Sequence, residues 1–294
     1  MTFDTSAVAG FMAAHARVLD RRRFELADGA TDPAAVLAAL DGYRNDDGGY
    51  GWGLEPDLRS FESQPGAAHQ ALEVFEQIAP TTTPQTTALC DWLDSVTLPD
   101  GGLPMALPIG LPECAAPWWR GADSSVSSLE ITAVTAAGAH RLAEHDEAVA
   151  AHPWLERATR YCLMAIDAMD DAPFAYALAF SVRFLDAVDD SRPEAAELLR
   201  KLGAYIPPHG RLRVSGGAEN EALYPLDIAP YPERPARALF DGDLIAADLE
   251  RLAGLQQEDG GFVVDFPAFA PAAALEWRGY ATVRALDVLR RNAG

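Results

Sequence analysis

An acidic residue, two glycines and a bulky apolar residue recur three times in this chain, as Asp47-Gly48-Gly49-Tyr50, Asp100-Gly101-Gly102-Leu103 and Asp259-Gly260-Gly261-Phe262. The first two copies lie 53 residues apart and the second and third 159, three times 53. Paired glycines after an aspartate admit positive φ, and the apolar residue that follows anchors the turn to a core. Each copy is preceded by an apolar helical pattern and followed by a loop and a second one. Two helices in about 50 residues describe a helical array, because the blades of a propeller need short β-branched strands.

Helical periodicity is read at 5–19, 32–43, 65–79, 84–96, 124–143, 152–168, 171–187, 192–204, 235–256 and 275–292, with starts marked by Asp32-Pro33, Thr83-Pro84, Ser124 and Arg192-Pro193. The segments 65–79, 124–143, 171–187 and 275–292 are small or apolar on nearly every side. The segments 84–96, 152–168, 192–204 and 241–256 carry charge on one face. The first set reads as inner helices and the second as outer ones. The turn motif is lost where the period predicts it near 153 and 206, so the middle repeats are degenerate. An open solenoid needs polar terminal caps, yet the segment Tyr280 to Leu289 is as apolar as an inner helix. The expected fold is therefore all-α: a closed α/α toroid of about six helical hairpins with a central cavity, formed by residues 1–294 as one domain.

The formal charge of −21 and a pI near 4.5 argue against nucleic acid and anionic membranes, both of which demand a basic face. No apolar run reaches the roughly 18 residues of a membrane span, and the N-terminus lacks a basic region followed by an apolar one. Stable membrane insertion is not expected, and a cytoplasmic location is. Cys90, Cys114 and Cys162 are odd in number and widely spaced, which fits reduced thiols.

The stretch Arg251-Leu-Ala-Gly-Leu255-Gln256-Gln-Glu-Asp259-Gly260-Gly261-Phe262 resembles the repeat of the terpenoid cyclase and protein prenyltransferase toroid superfamily. In that repeat a glutamine shortly before a Gly-x-aromatic turn caps a neighbouring helix. Phe262 stands where tryptophan is usual, and the Asp47 copy carries Arg44-Asn45 in place of the glutamine. The superfamily's catalytic signatures are mostly missing. The zinc site of the prenyltransferases needs Asp-x-Cys and a later histidine, but no cysteine has aspartate two residues before it and no histidine follows His209. The Asp-x-Asp-Asp acid of the cyclases is approximated only by Asp167-Ala-Met-Asp170-Asp171, at the wrong spacing. No metal and no cofactor are expected.

Two segments that follow repeat turns carry candidate chemistry. In Trp52-Gly-Leu-Glu55-Pro-Asp57-Leu-Arg59, followed by Ser63-Gln64-Pro65, two carboxylates, a guanidinium and a tryptophan fall within eight positions. Arg59 is placed to hold Asp57 ionised or to leave Glu55 as the protonated carboxyl. The plain alternative is a loop salt bridge that pins the turn. The second segment runs from Asp265-Phe266-Pro267 through Pro271 to Glu276-Trp277-Arg278. Glu276 at the first turn of an inner helix is also what the helix dipole favours. Trp118 and Trp119 occupy the loop after the second turn, where one ring packs and the other faces the cavity. Asp57, Glu55 and Glu276 are thus the candidate catalytic groups. Arg59, Gln64, Trp118, Trp119, Trp277 and Arg278 are the candidate ligand contacts. The six histidines form no His-x-x-x-His pair, and His69, on an inner helix, reads as a satisfied core residue.

Three functions fit. One is metal-independent acid catalysis on an isoprenoid or similar apolar substrate, with aromatic walls stabilising positive charge. The second is carbohydrate chemistry using two carboxylates about 5–10 Å apart. The third is a non-catalytic binding or scaffold protein. Each implies a small apolar or sugar-like ligand as the partner, except the scaffold.

Overall fold

The computed structural model describes residues 3–264 and 266–293, and its secondary structure is helical throughout apart from one short hairpin. In chain order the helices are α1 (Thr5–His15), α2 (Val18–Ala27), α3 (Pro33–Leu40), α4 (Pro65–Ile78), α5 (Pro84–Val96), α6 (Pro117–Arg120) and α7 (Leu129–Ala143). They continue as α8 (Glu147–Ala150), α9 (Pro153–Asp167), α10 (Ala175–Val188), α11 (Ala195–Gly203), α12 (Pro225–Ile228), α13 (Gly242–Ala253) and α14 (Pro271–Arg291). Proline opens many of them, where its missing N–H is one of the unbonded donors of a first turn and its fixed φ is already helical. Strands β1 (Leu212–Arg213) and β2 (Ala222–Leu223) pair antiparallel. No helix among the described residues is long and apolar enough to cross a membrane.

The all-α class follows the sequence reading, and several boundaries differ from it. The helix expected over 5–19 divides, because Ala16 and Arg17 are extended and Arg17 pairs with buried Asp20 at 2.7 Å to start α2. The helix expected from 124 starts at Leu129, since Asp123 closes a separate turn with Ser125 and Ser128 supplies the N-cap. The one expected from 235 starts at Gly242, after a 3₁₀ turn over Pro235–Leu239. In contrast α14 begins earlier, at Pro271, so Glu276 lies in its second turn and not its first.

The three Asp-Gly-Gly turns share one geometry. The first glycine sits at φ +91° in Gly48, +95° in Gly101 and +90° in Gly260. The aspartate accepts from the second glycine's N–H at 2.9, 3.1 and 3.1 Å. In every copy the first glycine lies against a helix carbonyl. A Cβ on Gly48 would come within 2.8 Å of Ala88 O in α5, one on Gly101 within 2.8 Å of Arg157 O in α9, and one on Gly260 would overlap the Ala7 carbonyl in α1. Glycine is needed here for its φ and for this close approach. Gln256 brackets Asp4, the N-cap of α1, by accepting from its N–H at 2.8 Å and donating to its carbonyl at 2.9 Å.

The chain forms two compact units, residues 1–39 with 203–294 and residues 40–202. In the first, α1, α2, α13 and α14 enclose a core of Val8, Phe11, Met12, Leu249, Phe262 and Leu286, so the last helix is buried against the first. The second unit is two-layered. Helices α4, α7 and α10 make a wall, packed through small residues such as Ala68, Ala133, Ala136 and Ala179, and α5, α8 and α9 back it. Gly138 lies against Leu72 and Arg141 pairs with Glu76 at 2.9 Å, so contacts advance together along α4 and α7 and the two helices run parallel. His69 meets Phe180 and, further along, His140 meets Phe184, which adds α10 in the same direction. The starts of the three wall helices therefore gather at one end.

Candidate functional site

The 54–60 loop is held over the start of α4. Glu55 accepts from the Gln70 amide at 2.7 Å and from the Asp57 N–H at 3.1 Å. The Asp57 carbonyl accepts from Ala116 N at 2.8 Å, and Arg59 N donates to the Cys114 carbonyl at 3.0 Å. Both carboxylates are buried, at 7% exposure for Glu55 and 2% for Asp57. Gln64 uses both ends of its amide on the neighbouring loop, accepting from Leu107 N at 2.9 Å and donating to the Leu107 and Pro108 carbonyls. Trp119 packs its ring on Gly66, where no side chain would fit, while Trp118 on the same short helix is exposed. Leu107, Pro108, Ile109, Pro112, Trp119 and Arg120 border a shallow pocket of about 110 Å³. Glu55, Asp57, Arg59, Gln64 and Trp119 thus share one neighbourhood in the second unit.

Glu276, Trp277 and Arg278 belong to the first unit. Arg278 forms a bidentate pair with Asp259 at 2.6 and 2.9 Å and lies 4.5 Å over the Phe11 ring, so it pins the third repeat turn. Trp277 packs edge-on between Phe266 and Tyr280, with centroids 5.1 and 5.5 Å away. Asp265 lies outside the described residues.

The second unit's wall also carries polar and aromatic residues that are only partly buried. On α10, Tyr176, Phe180 and Arg183 share a face at helical spacing, and Arg183 sits 5.7 Å over Phe180. His69 touches Phe180 from α4, and its Nε2 is 3.6 Å from Glu73. Burial lowers the pKa of His69, so the imidazole is neutral at pH 7. On α7, Glu130, Val134, Ala137 and Arg141 fall on one face, with Arg141 paired to Glu76. Glu130 is only partly exposed, and burial pushes its pKa up to about 7. Its carboxyl combines access to solvent with a proton retained near neutrality, which is what a general acid requires. The register of α4, α7 and α10 puts it at the level of Gln64 and Tyr176, at the end where the helices start.

Sequence reasoning missed Glu130 because a glutamate in a first turn is ordinary helix chemistry. The available signal was its place on a face that continues through Val134 and Ala137 to Arg141. Among the described residues no three His, Cys, Asp or Glu side chains converge as metal ligands. The chain matches no protein-family model and no curated protein.

Proposed function

We propose that this chain is a closed α/α toroid related to the terpenoid cyclases and prenyltransferases, and that it transfers a proton from a carboxyl group to a small, largely apolar molecule held where α4, α7 and α10 begin. The observation that carries the reading is Glu130, a solvent-reachable carboxyl that keeps its proton near pH 7 on a wall bearing aromatic rings. Tyr176 supplies a ring face that stabilises developing positive charge, while Phe180 already carries Arg183 over its ring. In this reading Glu55, Asp57 and Arg59 order the loop above the wall with Gln64 and Trp119. Trp118 is left exposed to meet the ligand, and Glu276, Trp277 and Arg278 form the corresponding element of the last repeat. Ring closure is supported by the turns. The first two dock on α5 and α9, each the outer helix that follows, and the last docks on α1, the beginning of the chain.

Native mass spectrometry of the purified protein is expected to reveal a co-purifying small organic molecule, or turnover of acyclic isoprenoid alcohols offered to it. Glu130→Gln keeps the shape and removes the proton, and should reduce turnover by about 10²–10⁴-fold. Unchanged turnover in that variant would refute Glu130 as the acid.

A further inference from the structure

Trp52 is the one non-glycine residue at positive φ among the described residues, at φ 56°. A bulky side chain in that region is a strained outlier that the surrounding structure must impose. Here the strain holds an indole out in water, since Trp52 is 57% exposed and Phe61 beside it 45%. The ring centroids are 6.0 Å apart and their planes are tilted by 46°. Asn45 fixes the indole from its edge: Trp52 Nε1 donates to Asn45 Oδ1 at 2.7 Å, and the Asn45 amide donates to the Phe61 carbonyl and to Ser63 Oγ, both at 2.9 Å. The ring is therefore oriented without its face being covered.

A carboxylate stands next to this pair. The Glu62 carboxyl and the Phe61 ring both pack around Gly110, and Ser60 Oγ donates to Glu62. Elsewhere the chain covers ring faces with its own guanidinium groups, as Arg251 does over Tyr224 at 3.7 Å and Arg278 over Phe11 at 4.5 Å. Among the described residues no cation of this chain covers Trp52 or Phe61.

We propose that Trp52 and Phe61 form a two-walled site for a compact organic cation of the methylated-ammonium class, with Glu62 as its counter-charge. Ring faces attract such a cation through their quadrupole, and the methyl groups desolvate at little cost. The net charge of −21 raises the local concentration of cations and opposes anions. A neutral sugar would stack on the same indole but gains nothing from the net charge of −21, so charge separates the two ligand classes. The site does not depend on the proposed proton transfer at Glu130.

The test titrates choline into isotopically labelled protein and follows the backbone amides of Gly51, Gly53 and Phe61 by NMR. Saturable shifts are expected, and the uncharged isostere of choline, with carbon in place of nitrogen, should bind at least about tenfold more weakly. Trp52→Gly removes the ring together with the strain, so it should abolish binding while the melting temperature holds or rises. Glu62→Gln should weaken binding several-fold and flatten its dependence on salt. Equal binding of the isostere would reduce the pair to a bare apolar patch and overturn the proposal. So would unaltered choline binding in Trp52→Gly, shifts that never saturate, or preferential binding of cellohexaose.

Discussion

Replacing Glu130 by glutamine should stabilise the protein, and by more at high pH than at low pH. Burial raises this carboxyl from 4.5 to about 7, so the unfolded chain gives up the proton earlier than the folded one does. Stability is then complete below about pH 4.5 and is lost as the pH rises through about 7, because in that interval the folded state must retain a proton that the unfolded state has released. At 1.36 kcal/mol per pH unit the full interval is worth about 3 kcal/mol, and the partial solvent access of Glu130 reduces this to about 1–3 kcal/mol. Urea denaturation of the wild type and of Glu130→Gln at pH of about 5.5 and about 8.5 measures the difference directly. About 1–2 kcal/mol of additional advantage for the variant is expected at the higher pH. Equal advantages at the two pH values would mean that the carboxyl is solvated like a surface group, and the reading of it as a retained acid would fail.

Three further outcomes are expected. Gly260→Ala should cost several kcal/mol, since about 1–2 kcal/mol of left-handed backbone strain is joined by overlap with the Ala7 carbonyl, whereas Gly10→Ala, in open space on α1, should gain about 0.5–1 kcal/mol; chemical denaturation of both variants checks the contrast. His140, whose pKa is lowered to about 4 by burial, should make stability fall as pH drops from about 6.5 to about 4, because the unfolded chain takes up a proton there and the folded one does not. In His140→Gln that part of the acid limb should disappear from thermal melts. Gln70→Ala should destabilise by about 1–3 kcal/mol by stripping Glu55 of a buried donor, and limited proteolysis should then cut the 54–60 loop faster.

The repeat was legible because its turns depend on backbone conformations that few residues supply, so Asp, Gly and Gly mark the same geometry wherever they recur. The small-residue character of α4, α7 and α10 likewise announced which helices pack into the wall. What stayed hidden depends on partners distant in sequence. Helix α2, with the sequence Val-Leu-Asp-Arg-Arg-Arg-Phe, looks too polar to pack until Asp20 is seen closed off by Arg17. The hairpin of β1 and β2 is too short to give an alternating pattern. Among the candidate site residues, Arg278 read as a ligand handle, and its bidentate grip on Asp259 could not be foreseen across 19 positions. The elevated proton affinity of Glu130 comes from the packing around it, which its own helix does not encode.

The docking of the last turn on α1 has a consequence for how this chain is made. The unit that contains it is built from both ends, residues 1–39 and 203–294, whereas residues 40–202 form their unit from one continuous stretch. During synthesis the continuous stretch can collapse as soon as it leaves the ribosome. Helix α1, although translated ahead of them, must wait for Gly260 and α14 before Val8, Phe11 and Met12 find cover. Joining contacts more than 250 residues apart carries a loop-closure cost of the kind that slows folding, so the N-terminal helix is the segment left waiting on the nascent chain.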